Sequence, residues 1–275
     1  MTEAAPAPGR RTALITGGSK GLGRAAAHAL AAAGWSVGVT GRDTAALTDV
    51  VLSRDALLAL PGDARDPAAV AEAVRRTEDT LGPLDLLLAN AGSFTAGGRL
   101  WETDPDTWWR DVEVNLRGPA LAMHAVLPGM VSRGSGRVVL MGSRFGAAPT
   151  AGASAYASSK AAVFRLVDSV AAELVGTGVV MLAVSPGMVP TDMTHSFPEG
   201  FLALRPELRS PPPEAWTAPE AFVGLLRRIV AGELDGLHGR FVHVRDDIAQ
   251  ALAAVAGTGP ARTGPGTLRL VPWDA

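Results

Sequence analysis

Tyr156 stands four residues before Lys160, and Ser143 stands thirteen residues before Tyr156. On a helix, Tyr156 and Lys160 share one face. A phenol with an ordinary pKa of about 10 is a poor base near neutrality. A neighbouring ammonium favours the phenolate and lowers that pKa, so Tyr156 is expected to exchange a proton with a carbonyl or carbinol oxygen. Ser143 follows an apolar run, and its hydroxyl could polarise the same oxygen. Read alone, Ser143 is more simply a helix cap or a loop serine.

Rarity sharpens this set. Tyr156 is the single tyrosine of 275 residues, the only lysines are Lys20 and Lys160, and the only asparagines are Asn90 and Asn115. A composition biased against Lys, Asn and Tyr keeps them where no substitute does their chemistry. A second group lies near the N-terminus, where the run TALIT leads into Gly17-Gly18-Ser19-Lys20-Gly21-Leu22-Gly23. Glycines at a strand–turn–helix junction allow a tight turn and close backbone approach to a pyrophosphate, which the helix N-terminus attracts. The spacing G-x-x-x-G-x-G departs from G-x-G-x-x-G, and no Gly-Lys-Ser/Thr follows to make a P-loop. Such a turn alone can also be purely structural.

The elements that must position these residues alternate. Apolar runs at 12–16, 37–40, 57–60, 84–89, 137–141, 179–184 and 240–244 predict strands. Helical patterns lie at 22–33, 44–52, from Pro67 after an Asp66 cap, at 105–114, 120–132, 155–176, and from about Asp246. Strands separated by helices predict right-handed crossovers and a doubly wound, Rossmann-like parallel α/β sheet of about seven strands, with helices on both faces. No linker divides 11–256, which is expected to be a single domain. Residues 1–10 and 257–275 read as tails, although 267–272 could dock as a strand. The proline-rich stretch 192–219 keeps Phe197, Phe201, Leu202, Leu204 and Trp216. It suits a lid over an apolar site, or equally a packed surface loop.

Composition excludes several classes. Without cysteine there is no disulfide, thiolate nucleophile or Cys-based zinc site. A formal net charge of -2 argues against a phosphate-tracking nucleic-acid binder. The five histidines form no metal-ligand spacing, and no G-x-S-x-G elbow occurs. No apolar run reaches the roughly 18 residues of a membrane span, and the N-terminus lacks a signal peptide's apolar stretch. A cytoplasmic protein is expected.

In order, Thr16-Gly17-x-x-x-Gly21-x-Gly23, Asn90-Ala91-Gly92, Asn115, Ser143, Tyr156-x-x-x-Lys160 and Pro186-Gly187 are the motifs of a family. The chain resembles the short-chain dehydrogenases/reductases, in their short single-domain branch, from about residue 11 to 247. The resemblance implies a catalytic set of Asn115, Ser143, Tyr156 and Lys160. In it an oxidised nicotinamide assists the ammonium in lowering the Tyr156 pKa, Lys160 also holds the nicotinamide ribose, and Asn115 holds a relay water. It implies dinucleotide contacts at Gly17, Ser19, Lys20, Gly21, Leu22, Gly23, Arg42, Asp63, Ala64, Asn90, Ala91, Gly92, Pro186, Gly187, Val189 and Thr191, shared with Tyr156 and Lys160. Asp63 would lie beside the adenine, though a turn role explains it equally.

NAD-selective members place an acid where Gly41 stands. Here Arg42 follows and Lys20 adds a charge, so NADP(H) is expected over NAD(H), with Asp43 arguing mildly the other way. The chain differs from the family pattern at Ala89 and at Val244-Arg245-Asp246-Asp247. Trp101, Trp108 and Trp109 suit the core as well as a substrate mouth or interface. The expected activity is hydride transfer between nicotinamide and a ketone or secondary alcohol, in a homodimer or homotetramer. The alternative is a catalytically silent, NADP-binding regulator on the same fold.

Overall fold

In the computed structural model, which describes residues 10–52 and 56–256, the apolar runs form one parallel sheet. Its strands are β1 (Thr12–Thr16), β2 (Ser36–Gly41), β3 (Leu57–Pro61), β4 (Leu84–Ala89), β5 (Gly136–Met141), β6 (Val179–Ser185) and β7 (Arg240–His243). The order is β3-β2-β1-β4-β5-β6-β7, and every neighbouring pair is parallel. All five residues of β1 are buried, as a strand covered on both faces requires. Helices α1 (Gly21–Ala32), α2 (Thr44–Leu52), α9 (Pro219–Val230) and α10 (Ile248–Val255) contribute to the core on one face. Helices α3 (Pro67–Leu81), α5 (Gly118–Arg133) and α6 (Ser154–Glu173) contribute to the core on the other. This is the doubly wound, Rossmann-like single-domain fold expected.

After β3 the chain returns to place β4 beside β1, with Thr16 opposite Ala89. The loops leaving these two strands diverge, and such a switch point is where doubly wound sheets hold nucleotides. The expected site residues all follow strand C-terminal ends or lie on helices beside them.

Two departures matter. The helices expected at 105–114 and 120–132 are one uninterrupted run, in which α4 (Pro105–Val112) passes through a π-helical turn, Glu113–Arg117, into α5. Pro119 lies just after the π turn, inside the continuous run. Proline has no N–H to give to the Asn115 carbonyl four residues back, and the wider turn accommodates that loss. Helix α9 was absent from the expectations, although Phe222, Leu225, Leu226 and Ile229 repeat at helical spacing behind Pro219, and all are buried. Within 192–219 lie two short helices, α7 (Asp192–His195) and α8 (Glu199–Leu204). The expected tails at 1–9 and 257–275, and the strand at 267–272, lie outside the described residues.

Candidate active site

The glycine loop leaving β1 is locked to the loop leaving β4. Asn90 donates its side-chain amide to the carbonyls of Thr16 (3.1 Å) and Gly17 (2.8 Å). The Thr16 hydroxyl in return accepts the Asn90 and Ala91 amides, each at 3.1 Å. Asn90 thus acts on the cradle by shaping it, since its amide is spent on the loop. Gly21 opens α1 at φ +53°, and a Cβ on Gly23 would come within 2.4 Å of the Gly17 carbonyl oxygen and 2.5 Å of Asn90 Nδ2. No side chain fits there, which leaves backbone free to meet a ligand. Leu22 follows in the first turn of α1.

Neighbouring loops close in on this cradle. A Cβ at Gly21 would touch Thr191 Cγ2 at 3.3 Å, one at Gly41 would touch Ser19 Oγ at 3.1 Å, and one at Gly92 would touch Met193 Cε at 3.5 Å. The segment after β6, carrying Pro186, Gly187, Val189 and Thr191, is therefore brought against the glycine loop. Thr191 caps α7 in a reciprocal arrangement with Thr194. A small cavity between β1, β2 and α3 is lined by Leu14, Thr16, Thr40, Gly62, Asp63 and Ala64, among others.

The charges around the loop are arranged less simply than expected. Lys20 Nζ lies 3.2 Å from Asp43, both about half exposed. The Ala46 amide, and then Lys20, hold the Asp43 carboxyl below its ordinary range. Lys20 is thus partly neutralised by Asp43. Arg42 makes no ion pair among the described residues, though its charge reaches Asp63. Asp63 folds back onto Arg65, which donates from Nη2 at 2.7 Å and from its backbone amide at 2.9 Å. Arg65 foremost keeps that carboxyl ionised to lower pH than usual.

Tyr156 and Lys160 occupy the first two turns of α6, on one face. Lys160 is buried; its Nζ donates to the Met141 carbonyl at 2.8 Å and lies 5.5 Å from the centre of the Tyr156 ring. Met141 ends β5, and two residues later Ser143 stands near enough to the Tyr156 phenol to favour its ionised form. Ser143 Oγ also accepts the Phe145 amide at 3.3 Å, so the cap role and the site role coexist.

The expected lowering of the Tyr156 pKa, which draws on an oxidised nicotinamide as well as on Lys160, is not seen in the protein by itself. Protein atoms crowd the phenol, and this desolvation pushes its pKa up from 10.0; the Ser143 hydroxyl opposes the rise and the charge of Asp111 adds to it. Burial likewise lowers Lys160 from 10.5 to about 8. Both groups are biased towards neutrality, as apolar surroundings demand.

Asn115 sits in the π turn, fully buried, with its side chain clamped on Ser93: Nδ2 donates to the Ser93 carbonyl at 2.8 Å and Oδ1 accepts the Ser93 amide at 2.9 Å. Both ends of its side chain thus hold Ser93, which fixes that loop against the turn. Sequence reasoning missed Asp111, one helical turn earlier, which holds the same segment. Its spacing of four from Asn115 was the available signal. Also missed was the ring cluster around Tyr156. Phe94 stacks on it with centroids 4.9 Å apart, Phe145 meets it edge-on at 6.2 Å, and Phe197 and Phe201 pack against Phe94. Of the tryptophans, Trp108 donates to Ser154 Oγ at 3.0 Å, whereas Trp101 and Trp109 are exposed.

A glycine cradle at the switch point, beside a tyrosine–lysine pair and a serine, defines a nucleotide-dependent oxidoreductase site. A family model described as short chain dehydrogenase matches residues 11–200. A short chain dehydrogenase of Pseudocercospora fijiensis is 35% identical over 95% of this chain and 88% of its own length. A 2-dehydro-3-deoxy-L-rhamnonate dehydrogenase (NAD(+)) of Sphingomonas sp. is 33% identical over 69% of this chain and 76% of its own. The solved 3-ketoacyl-(acyl-carrier-protein) reductase of Brucella melitensis, complexed with NADH, superposes with a TM-score of 0.76. That superposition covers 85% of this chain and 96% of the reductase, at 24% identity, and shows the shared fold. The chain belongs to the short-chain dehydrogenase/reductase family and is an oxidoreductase using a nicotinamide dinucleotide on small molecules. No helix among the described residues is long and apolar enough to cross a membrane.

Proposed function

We propose that the protein is an NADP(H)-preferring oxidoreductase that interconverts a ketone and a secondary alcohol, with Tyr156 as the acid/base group. The observation that carries this reading is the Tyr156 phenol, with Lys160 over its ring from the same helix face and Ser143 acting on it from the segment after β5. When bound, a nicotinamide would supply hydride to the carbonyl carbon, or accept it from the carbinol. In reduction Tyr156 gives its proton to the oxygen, and in oxidation it removes one. Ser143 accepts the Phe145 amide, which leaves its own proton for the same oxygen. Lys160 spends one N–H on Met141, so two remain for ribose hydroxyls and for reprotonating Tyr156. Asn115 would meet a relay water through its backbone carbonyl.

Preference for the 2′-phosphate rests on this chain's own Arg42 and on the missing acid at Gly41, since the Sphingomonas relative is named for NAD(+). Lys20, paired with Asp43, contributes less. The rings of Phe94, Phe145, Phe197 and Phe201 support an uncharged carbonyl compound with apolar bulk, covered by a lid spanning 192–219. The working unit would be a homodimer or homotetramer in the cytoplasm. The test is NADPH consumption across a panel of apolar ketones, with Tyr156→Phe beside the wild type. The variant should lose turnover while binding NADPH with similar affinity. A silent wild type that binds NADPH would favour a regulator, and a variant keeping most of its kcat would overturn the role of Tyr156.

A further inference from the structure

Asp111 is fully buried on α4. Its carboxylate accepts from the Ser93 hydroxyl at 2.5 Å, the Thr95 amide at 2.7 Å, the Thr95 hydroxyl at 2.8 Å and the Ala96 amide at 2.8 Å. A buried carboxylate is tolerated when its lone pairs are met in this way. The two amides and two hydroxyls could equally have been met by an amide side chain, yet the chain places a carboxyl group there. The segment so held carries Phe94, whose ring lies on the Tyr156 phenol with an interplanar angle of 22°.

We propose that Asp111 is a positioning residue for Tyr156: it fixes the 93–96 segment so that Phe94 stays on the phenol ring, and its carboxylate charge acts on that phenol. This rests on Tyr156 being the acid/base group. The charge opposes loss of the phenol proton, so it keeps Tyr156 ready to donate and favours the carbonyl-reducing direction. Few groups compete with it. Lys160 faces the ring from the same helix, the Ser143 hydroxyl from the segment after β5, and the 193–201 segment packs only Met193, Phe197 and Phe201 against the cluster.

Tyr156 is the single tyrosine. Near-ultraviolet absorbance of tyrosinate therefore reports its ionisation alone, in the protein without added cofactor. Asp111→Asn keeps the shape, because an amide can accept the two backbone N–H groups and donate to the two hydroxyls. It should move the tyrosinate midpoint down by about one pH unit, the effect of one neighbouring charge. The alkaline limb of ketone reduction should move with it. Ser93→Ala removes a donor that shares the charge, so it should raise the midpoint, whereas mere loosening would hydrate the phenol and lower it. A midpoint unmoved in Asp111→Asn, or lowered by Ser93→Ala, overturns the proposal; the second result decides even if Asp111→Asn does not fold. A midpoint that moves as expected while Tyr156→Phe still turns over would instead refute the acid/base role and leave the coupling to Asp111 standing.

Discussion

Lys160 should make the protein more stable as the solution turns alkaline. Its ammonium is held in the interior with its pKa lowered from 10.5 to about 8. The unfolded chain keeps the proton to about pH 10.5, but the folded chain begins to release it near pH 8. Between those values the unfolded state binds more protons, so the free energy of unfolding rises with pH. At about 1.36 kcal/mol per pKa unit, the total rise from this group is about 3 kcal/mol. With two lysines and one tyrosine in the chain, few other side chains titrate in that window. Tyr156, whose folded pKa is raised, opposes folding only once the pH passes its ordinary 10.0. Urea unfolding followed by tryptophan fluorescence at pH 7.5, 8.5 and 9.5 measures the slope directly. Lys160→Met should flatten it, while sacrificing the bond to Met141 and turnover. A flat wild-type profile, or an equal rise in Lys160→Met, would refute an ammonium penalised by burial.

Arg42→Ala should reduce the NADPH-over-NADH ratio of kcat/KM by about tenfold, the lower end for charge-assisted bonds near an exposed rim. Gly41→Asp should act in the same direction, its Cβ needing only a small adjustment against Ser19 Oγ at 3.1 Å; an unchanged ratio in both variants defeats the selectivity argument. Gly23→Ala forces a methyl to within 2.5 Å of the Asn90 amide and closer still to the Gly17 carbonyl. It should cost more than about 2 kcal/mol and depress the thermal midpoint, with NADPH affinity falling as well. Light scattering at micromolar concentration should give a dimer or tetramer mass, and a monomer would contradict closed assembly.

The sheet and the residues of the candidate site were legible because each leaves a local mark. Buried parallel strands must be unbroken apolar runs, and Tyr156 with Lys160 needs only the helical spacing of four. What stayed hidden depends on contacts between distant segments. Asp111 lies in WWRDVEVN, where an acid reads as a solvated face, and only the folded loop 93–96 shows four donors converging on it. Lys20 and Asp43 become partners because β1 and β2 are neighbours, which turns two opposing selectivity arguments into one ion pair. The burial that raises the Tyr156 pKa stayed hidden for a related reason. Spacing reveals the neighbouring ammonium, but not the packing around the phenol. Helix α9 had the right pattern and was overlooked beside the proline-rich stretch before it.

The π turn at Glu113–Arg117 makes one helix serve two surfaces. Each residue of an α-helix advances the azimuth by about 100°, so one extra residue in a turn swings every later side chain by that amount. Before the turn, Asp111 and Trp108 look to the 93–96 segment and to the start of α6. After it, Ala122, Met123, Val126 and Met130 look to the sheet. A uniform helix would have to choose between these bearings. Single-residue insertions or deletions within 113–117 should therefore act like a change of phase, rotating the catalytic end against the core while each half remains helical. Length variation would be tolerated at the loops flanking 105–133 and rejected inside it, so the segment behaves as a gear whose tooth count cannot drift.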